Sequence, residues 1–483
     1  MIYLHLVKMN GRHERSFCRK WYNRRTRGVD TCWGVAAVAF LSQVVLSFGE
    51  RNAGFLYVGY MELFLIDRQQ AIWPQTVAFI VGYPAGLVVS LLHRWLSLTA
   101  IALIGSLFTC VGPIAASFGT NIVWMSAAMG FVHGLGTGIF FVIVSMILMM
   151  YFKRYRGIVT GIKNLGGTAS SAVFPKLLLF LKDAYGFRNS LFLYGAFSMH
   201  LGAFVILLKT PPWTQTQTVE LKCDNNSDDR TSEVEEGKTE RPVTKNLDSH
   251  EEQKSAPSIF RTPSFYVILA SGVTGFYTQN IFFSTIVDFT VDKGFVESDA
   301  ASLMTYFAVS EIVGRLALPL LADHGYIRRT TLMTWNFFLM GISMLLLAQF
   351  TAFAWVQASC VLFAAFFGSA VTIEGVLIAD YLGVPRLSLC FGLIGILSVP
   401  LFLSNPLVLG FSRDQLGSYD NLYRFLSGLY FFIGILWSLL LWSEQRNDAT
   451  SSTRKNPEDC AVSTAFRGVI ANDGNGHSLI EEL

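Results

Sequence analysis

Twelve mostly apolar runs, each near the length that crosses a bilayer, dominate the chain. A spanning helix needs about 20 such residues, because lipid offers no hydrogen-bond partner and only internal pairing satisfies the backbone. The runs lie at 32–58, 71–92, 97–118, 121–150, 157–181 and 189–209, then at 264–289, 299–321, 330–350, 353–381, 388–411 and 421–443. Composition agrees. Hydrophobic residues make up 52% of the chain and charged residues 15%, against about 25% charged in soluble domains. The pattern predicts an all-α membrane protein with twelve transmembrane helices in two six-helix halves.

Polar segments set the boundaries. Residues 1–30 form a basic N-terminus, 31–209 the first half, 210–262 a linker, 263–443 the second half and 444–483 a tail. The linker is too polar to bury a core and is expected to be disordered. With twelve spans, every second loop lies on the side of the N-terminus. Those loops carry Lys153, Arg154, Arg156, Arg328, Arg329 and Arg386, whereas the opposite loops include "SFGTN" and "TAFA". Lysine and arginine favour the cytosolic face, so both termini are expected there, in a plasma-membrane protein. The sequon Asn225-Asn226-Ser227 then sits in the cytosolic linker and is expected to stay unmodified.

Other features exclude whole classes. The seven cysteines are scattered and read as free thiols, not as a disulfide framework or metal site. The first 30 residues lack an apolar core with a cleavage site, so the first span should serve as its own insertion signal. A net charge of +3 points to no nucleic-acid partner. No nucleophile–base motif, phosphate loop or metal-ligand cluster suggests an enzyme, and no cofactor is expected. Small-residue pairs such as Gly82/Gly86, Gly130/Gly134, Gly134/Gly138 and Gly157/Gly161 read as ordinary helix packing. Ser404-Asn405-Pro406 marks an expected break or kink in the eleventh span.

The informative residues are charges inside the apolar runs. Each costs roughly 2.5–3.5 kcal/mol at mid-bilayer on insertion scales, so such charges face a cavity or a partner. Glu311 and Arg315 in the eighth span stand four apart and share a helical face, so they can pair. That pair is either a structural lock or a switch, in which protonation of Glu311 frees Arg315 to bind an anion. The switch is the favoured reading. Arg51 in the first span is a second candidate anion site, with neighbouring Glu50 as its alternative partner. Glu374 in the tenth span is a candidate counter-charge for either arginine. Lys163 is expected to snorkel to the interface, and Asp380 to be solvated. Asp323, Arg328 and Arg329 suggest a gate latch at the cytosolic end of the eighth span.

Several motifs together resemble the monocarboxylate transporter family of the major facilitator superfamily. "LLADHGYIRR" is similar to the superfamily's short-loop motif. "VDTCWG" carries Asp30, Trp33 and Gly34 of the family's first-span signature, with Thr31 departing. "YFKRYRGIVTGIKNLGG" from Tyr151 resembles its fifth-span signature. "GFRNSL", "ADYLGVPRLSLCFGL" and "GSYDNLYRFLSG" match further along. The resemblance covers nearly all of the membrane part. It implies the superfamily fold, an arginine at Arg315 that binds the substrate carboxylate, and an acid at Glu311 that takes part in proton coupling. Proton-coupled members have a lysine after a Phe-Pro pair in the first span. Here the pair reads Gly49-Glu50, followed by Arg51, and arginine hardly deprotonates.

The expected function is alternating-access secondary transport of small monocarboxylates such as lactate or pyruvate, with the proton as coupling ion. An uncoupled carrier of a larger or zwitterionic organic substrate is the alternative, because relatives carry aromatic amino acids, thyroid hormones, carnitine or creatine. A non-transporting sensor or scaffold ranks third. The resemblance also implies a single-span immunoglobulin-type ancillary protein. Phe48, Phe282, Phe283 and Phe391 are candidates for the apolar wall of the site.

Overall fold

The computed structural model describes residues 29–208, 211, 260–295, 297–412 and 417–454. The expectations for the basic N-terminus through Gly28, most of the linker, the sequon, most of the tail, and Cys18, Cys223 and Cys460 fall outside these residues. The described residues contain helices and no strand.

The first half comprises a first span in three pieces (Trp33–Leu46, Phe48–Arg51, Ala53–Phe64) and a second in two (Trp73–Gly82, Ala85–Leu92). Leu98–Ser117 is the third span, and Ile122–Met125, Ser126–His133 and Gly134–Tyr151 make the fourth. Arg156–Tyr185 is the fifth, and Phe187–Ser198 with His200–Leu207 the sixth. The second half runs Pro263–Asp292, Glu297–Asp323, Arg329–Gln349, Phe353–Leu382, Leu387–Gly410 and Asp420–Arg454.

Among the described residues, nine helices are long and apolar enough by themselves to cross a membrane. The first falls short because it is broken into shorter helices, and the fifth and seventh because polar residues interrupt their apolar runs. The fifth carries Thr160, Lys163, Asn164 and Thr168, all buried. The first is broken where Ser47 and Asn52 bond to nearby groups. Gln43 Nε2 donates to Ser47 Oγ at 2.9 Å, and Asn52 Nδ2 donates to the Phe48 carbonyl at 3.0 Å. Such local bonds compete with a regular helix. The second breaks at Tyr83-Pro84, where proline lacks a backbone donor. The break expected at Ser404-Asn405-Pro406 does not occur, because the eleventh helix runs through it. Asn405 instead donates to Asn280 Oδ1 at 2.6 Å and ties the eleventh span to the seventh.

Within the first half, the first span packs on the fifth, the second on the fourth, and the third on the fourth and sixth. Within the second half, the eighth and ninth pack on the tenth and the twelfth packs on the ninth. The halves meet where the fifth span touches the eighth and tenth and where the second touches the eleventh. The glycines differ in their roles here. Gly134 and Gly138 sit against Ala78 and Gly82 inside one half, as ordinary packing predicts. Gly86 faces the backbone of Ser388 and Gly392, and Gly161 faces the Arg315 carbonyl, so these two serve the seam between halves. A Cβ at either position would meet backbone, which cannot rotate away.

Candidate functional site

A cavity of about 220 Å³ lies between the halves, walled by both. Its first-half wall includes the broken part of the first span, and discontinuous helices are how many transporters build a midplane site. Arg51, Lys163, Arg315, Glu50 and Glu374 all reach it.

Glu311 stands behind this lining and organises it. Its side chain is 1% exposed. One oxygen, Oε1, lies 2.6 Å from Arg315 Nη2 and 3.5 Å from Arg51 Nη2. The other accepts from Thr168 Oγ1 at 3.4 Å. Arg315 also donates through Nη1 to the backbone oxygen of Asn164 in the fifth span. Its Nε is buried and, among the described residues, has no hydrogen-bond partner. Arg51 belongs to the first half and Arg315 to the second, so a single carboxylate oxygen joins the halves. Arg51 also lies over the Phe283 ring, 5.9 Å from its centre.

A second network closes the seam at the end of the bundle that carries the basic loops. Asp323 Oδ2 accepts from the Ile158 amide at 2.8 Å, so an acid of the eighth span satisfies an orphan amide in the first turn of the fifth. Asp323 Oδ1 pairs with Arg329 at 2.7 Å. Arg329 pairs in turn with Asp380 at 2.7 Å, and Asp380 with Arg156 at 2.6 Å. Asp30 holds the adjoining loop by accepting from the amides of Lys153 and Arg154. Trp33 packs edge-on against Phe152 there.

A family model described as Major Facilitator Superfamily matches residues 39–399. The chain belongs to the major facilitator superfamily. Monocarboxylate transporter 2 of Homo sapiens is 25% identical over 473 residues, covering 93% of this chain and 95% of that protein. Monocarboxylate transporter 12-B of Danio rerio is 24% identical, with 88% and 91% covered. The resemblance carried by the motifs thus names the same family as these relatives. Among solved structures, the superfamily transporter FucP in its outward conformation aligns with a TM-score of 0.61 at 14% identity, covering 84% of this chain and 98% of that one. The proton:xylose symporter XylE aligns with a TM-score of 0.62 at 11% identity, covering 85% and 95%. These likenesses establish the twelve-helix fold, and the chain is a multi-pass membrane transporter.

Several expected placements are revised in this superfamily member. Lys163 does not snorkel. It is 2% exposed, donates to Ser145 Oγ at 2.8 Å, and sits 3.9 Å above the Phe141 ring at the cavity wall. Its ammonium is held by two residues of the fourth span, Ser145 and Phe141, and not by the interface. Asp380 is exposed as expected, yet it is ion-paired twice. Arg51 turns to Glu311, and among the described residues it forms no ion pair with Glu50, which is exposed. Among the described residues, Glu374 pairs with neither arginine: it is a buried residue of the cavity lining, and its Oε1 has no hydrogen-bond partner. Arg328 stands at the N-cap position of the ninth span, beside Arg329, and its side chain makes no capping bond there. Of the four phenylalanines, Phe391 lines the cavity. Phe48 stacks on Tyr194 in a separate core, and Phe282 is buried among Phe307 and Phe363. Phe283 is not in the lining but touches Arg51.

Two groups escaped the sequence reading. His133 reaches the cavity from a π-helical stretch, its Nδ1 2.9 Å from the Thr109 carbonyl. Such stretches recur at functional sites, but nothing local in "SAAMGFVH" announces one. Thr160, Lys163, Asn164 and Gly167 all line the cavity at i, i+3, i+4 and i+7. That spacing is one helical face, and it was visible in the sequence.

Proposed function

We propose that the chain carries small monocarboxylates of the lactate or pyruvate type across the plasma membrane, linked to protons, by alternating access. The observation that carries this reading is the pair of arginines, one from each half, that share Glu311 Oε1 beside the cavity. A substrate carboxylate can take the place of Glu311 on these guanidiniums, and the unpartnered Arg315 Nε offers a further donor. Glu311 is then the group that receives a proton when the substrate takes its place. Arg51 stays charged throughout, so the proton moves on another group. A cavity of about 220 Å³ lies below the roughly 300–1,000 Å³ of drug-sized pockets, which supports a small substrate. The relatives named monocarboxylate transporters support the same class.

The end bearing the basic loops is taken as cytosolic, with Asp323, Arg329, Asp380 and Arg156 as its gate. In the conformation described, that gate is shut. The halves rock about the central site, and the gate ion pairs separate when the cavity turns to the cytosol.

Uptake of labelled lactate and pyruvate by purified protein in liposomes, at varied external pH, tests the proposal. Uptake should rise as the outside is acidified. Unchanged transport in Arg315→Ala would remove the arginine from its assigned role. Uptake indifferent to a pH gradient would favour the uncoupled alternative, which Arg51 in place of lysine also favours.

A further inference from the structure

Lys163 is a buried cation that the arginine site leaves unused. It lines the central cavity from the fifth span and is 2% exposed. Its ammonium donates to Ser145 Oγ at 2.8 Å and lies 3.9 Å from the centre of the Phe141 ring. Both partners are neutral, and both line the same cavity. Among the described residues no carboxylate pairs with Lys163. Glu311 is held by Arg51 and Arg315, and neither Glu50 nor Glu374, the other acids of the lining, is its ion-pair partner. An ammonium has three donors, and one hydroxyl and one ring face leave it incompletely satisfied. A buried charge without a counter-charge is costly, and this one borders an open space.

Helical geometry places this ammonium relative to the arginines. On the fifth span, Gly161 faces the Arg315 carbonyl of the eighth. Lys163 stands two positions on, so the two directions differ by roughly 160° around the helix. Lys163 therefore leaves the fifth span on the flank away from the eighth and reaches the fourth, where Ser145 and Phe141 receive it. Packed helices lie about 8–10 Å apart. The ammonium and the Arg315 guanidinium thus border one cavity of about 220 Å³ from different sides, several ångström apart. Once Glu311 gives up the arginines, Arg51, Arg315 and Lys163 present three positive charges there, and a monocarboxylate brings one negative charge to meet them.

The geometry points to Lys163 as a second docking point, and to a preference for a carboxylate that carries a further anionic group at the other end of a short chain, that is, a short dicarboxylate. This rests on the reading above, in which a carboxylate replaces Glu311 on the arginines, and it narrows which carboxylates the cavity prefers. The first carboxylate docks on Arg315 and Arg51. The second accepts from Lys163 Nζ in a charge-assisted hydrogen bond. A monocarboxylate fills the arginine site and leaves Lys163 without a counter-charge, so it is carried with lower apparent affinity.

Uptake of labelled butyrate and succinate into liposomes at neutral pH, with half-saturation for each, tests this. The two share a four-carbon chain, and succinate adds the second carboxylate. Wild-type protein should half-saturate at a roughly tenfold lower concentration of succinate than of butyrate, the scale of one charge-assisted hydrogen bond. In Lys163→Met the order should reverse, because the second carboxylate then enters the cavity without a partner. Lys163→Gln, which keeps a donor for Ser145 Oγ, makes the same comparison if the methionine variant fails to insert. Equal or stronger preference for butyrate in the wild type, or uptake of lactate without succinate, overturns the inference even if neither variant reaches the membrane. A succinate preference that survives both substitutions overturns the role of this residue. Failure to transport lactate, butyrate and succinate alike overturns the carboxylate reading itself and is distinguishable from the other results.

Discussion

Glu311 and Asp380 are the same device at two depths. Each is a second-half carboxylate that joins an arginine of one half to an arginine of the other. Glu311 holds Arg51 and Arg315, and Asp380 holds Arg156 and Arg329. Their surroundings differ: the Glu311 side chain is 1% exposed and that of Asp380 28%. Removing one member of a buried pair strands the other and costs about 3–5 kcal/mol. An exposed pair is screened by water and salt and contributes about 0–1 kcal/mol. Asp380, Arg156 and Arg329 are part-exposed, at 28%, 12% and 20%, so the outer device costs less to break than the inner one. The inner one comes apart only when something else satisfies its arginines, which is the part proposed above for a substrate carboxylate. In that proposal one arrangement is a reversible clasp and the other a lock that an anion opens.

Changes at the inner device should have the largest effects. Arg315→Ala strands Glu311 and removes the proposed docking cation, so uptake should fall by about 100-fold or more, with thermal stability lowered by about 3–5 kcal/mol. Uptake at wild-type rates would collapse the distinction drawn here. Next come the seam glycines. Gly161→Val places a side chain against the Arg315 carbonyl. The halves should then fail to close at the basic end, and a cysteine placed there should react faster with a membrane-impermeant thiol reagent. Unchanged labelling would show that the seam does not report closure.

Glu311→Gln separates proton coupling from anion binding. It should keep some carboxylate affinity while abolishing the stimulation of uptake by external acid. A retained pH response would move the proton elsewhere. Asp380→Asn should be the mild counterpart. Uptake is expected to stay within a few-fold of wild type, with the difference shrinking as salt is raised, because exposed pairs are screened. A loss as large as that of Arg315→Ala would show that depth does not separate the two devices. Smallest of all, Phe48→Leu should leave substrate preference unchanged in an uptake panel, since Phe48 stacks on Tyr194 away from the cavity.

The spans were readable from the sequence because hydropathy reports the solvent a segment meets, and that is a local property. The observed helices begin and end within a few residues of the apolar runs wherever the run is clean, except that the twelfth runs on to Arg454, past its run's end at 443 and into the segment read as tail. The pairing of Glu311 with Arg315 was readable for the same reason, since four residues on a helix fix a shared face whatever surrounds it. Lys163 was misplaced because hydropathy shows that a lysine lies near a span end and not which way it turns. Its companions Thr160, Asn164 and Gly167 held that information as a stripe. Arg51 could be flagged as out of place in lipid, but Glu50 stood beside it and Glu311 lay 260 positions away.

The sequence alone determined the number and order of the helices, the basic end of the bundle and the family resemblance. These depend on length, polarity and motif spacing along one chain. Only the tertiary structure decided that Arg51 and Arg315 share a carboxylate oxygen, that Asp380 is a bridge, and that among the described residues Glu374 pairs with neither arginine. Each depends on how helices distant in the chain are rotated and packed against one another, and that rotation follows from the packing of all twelve together.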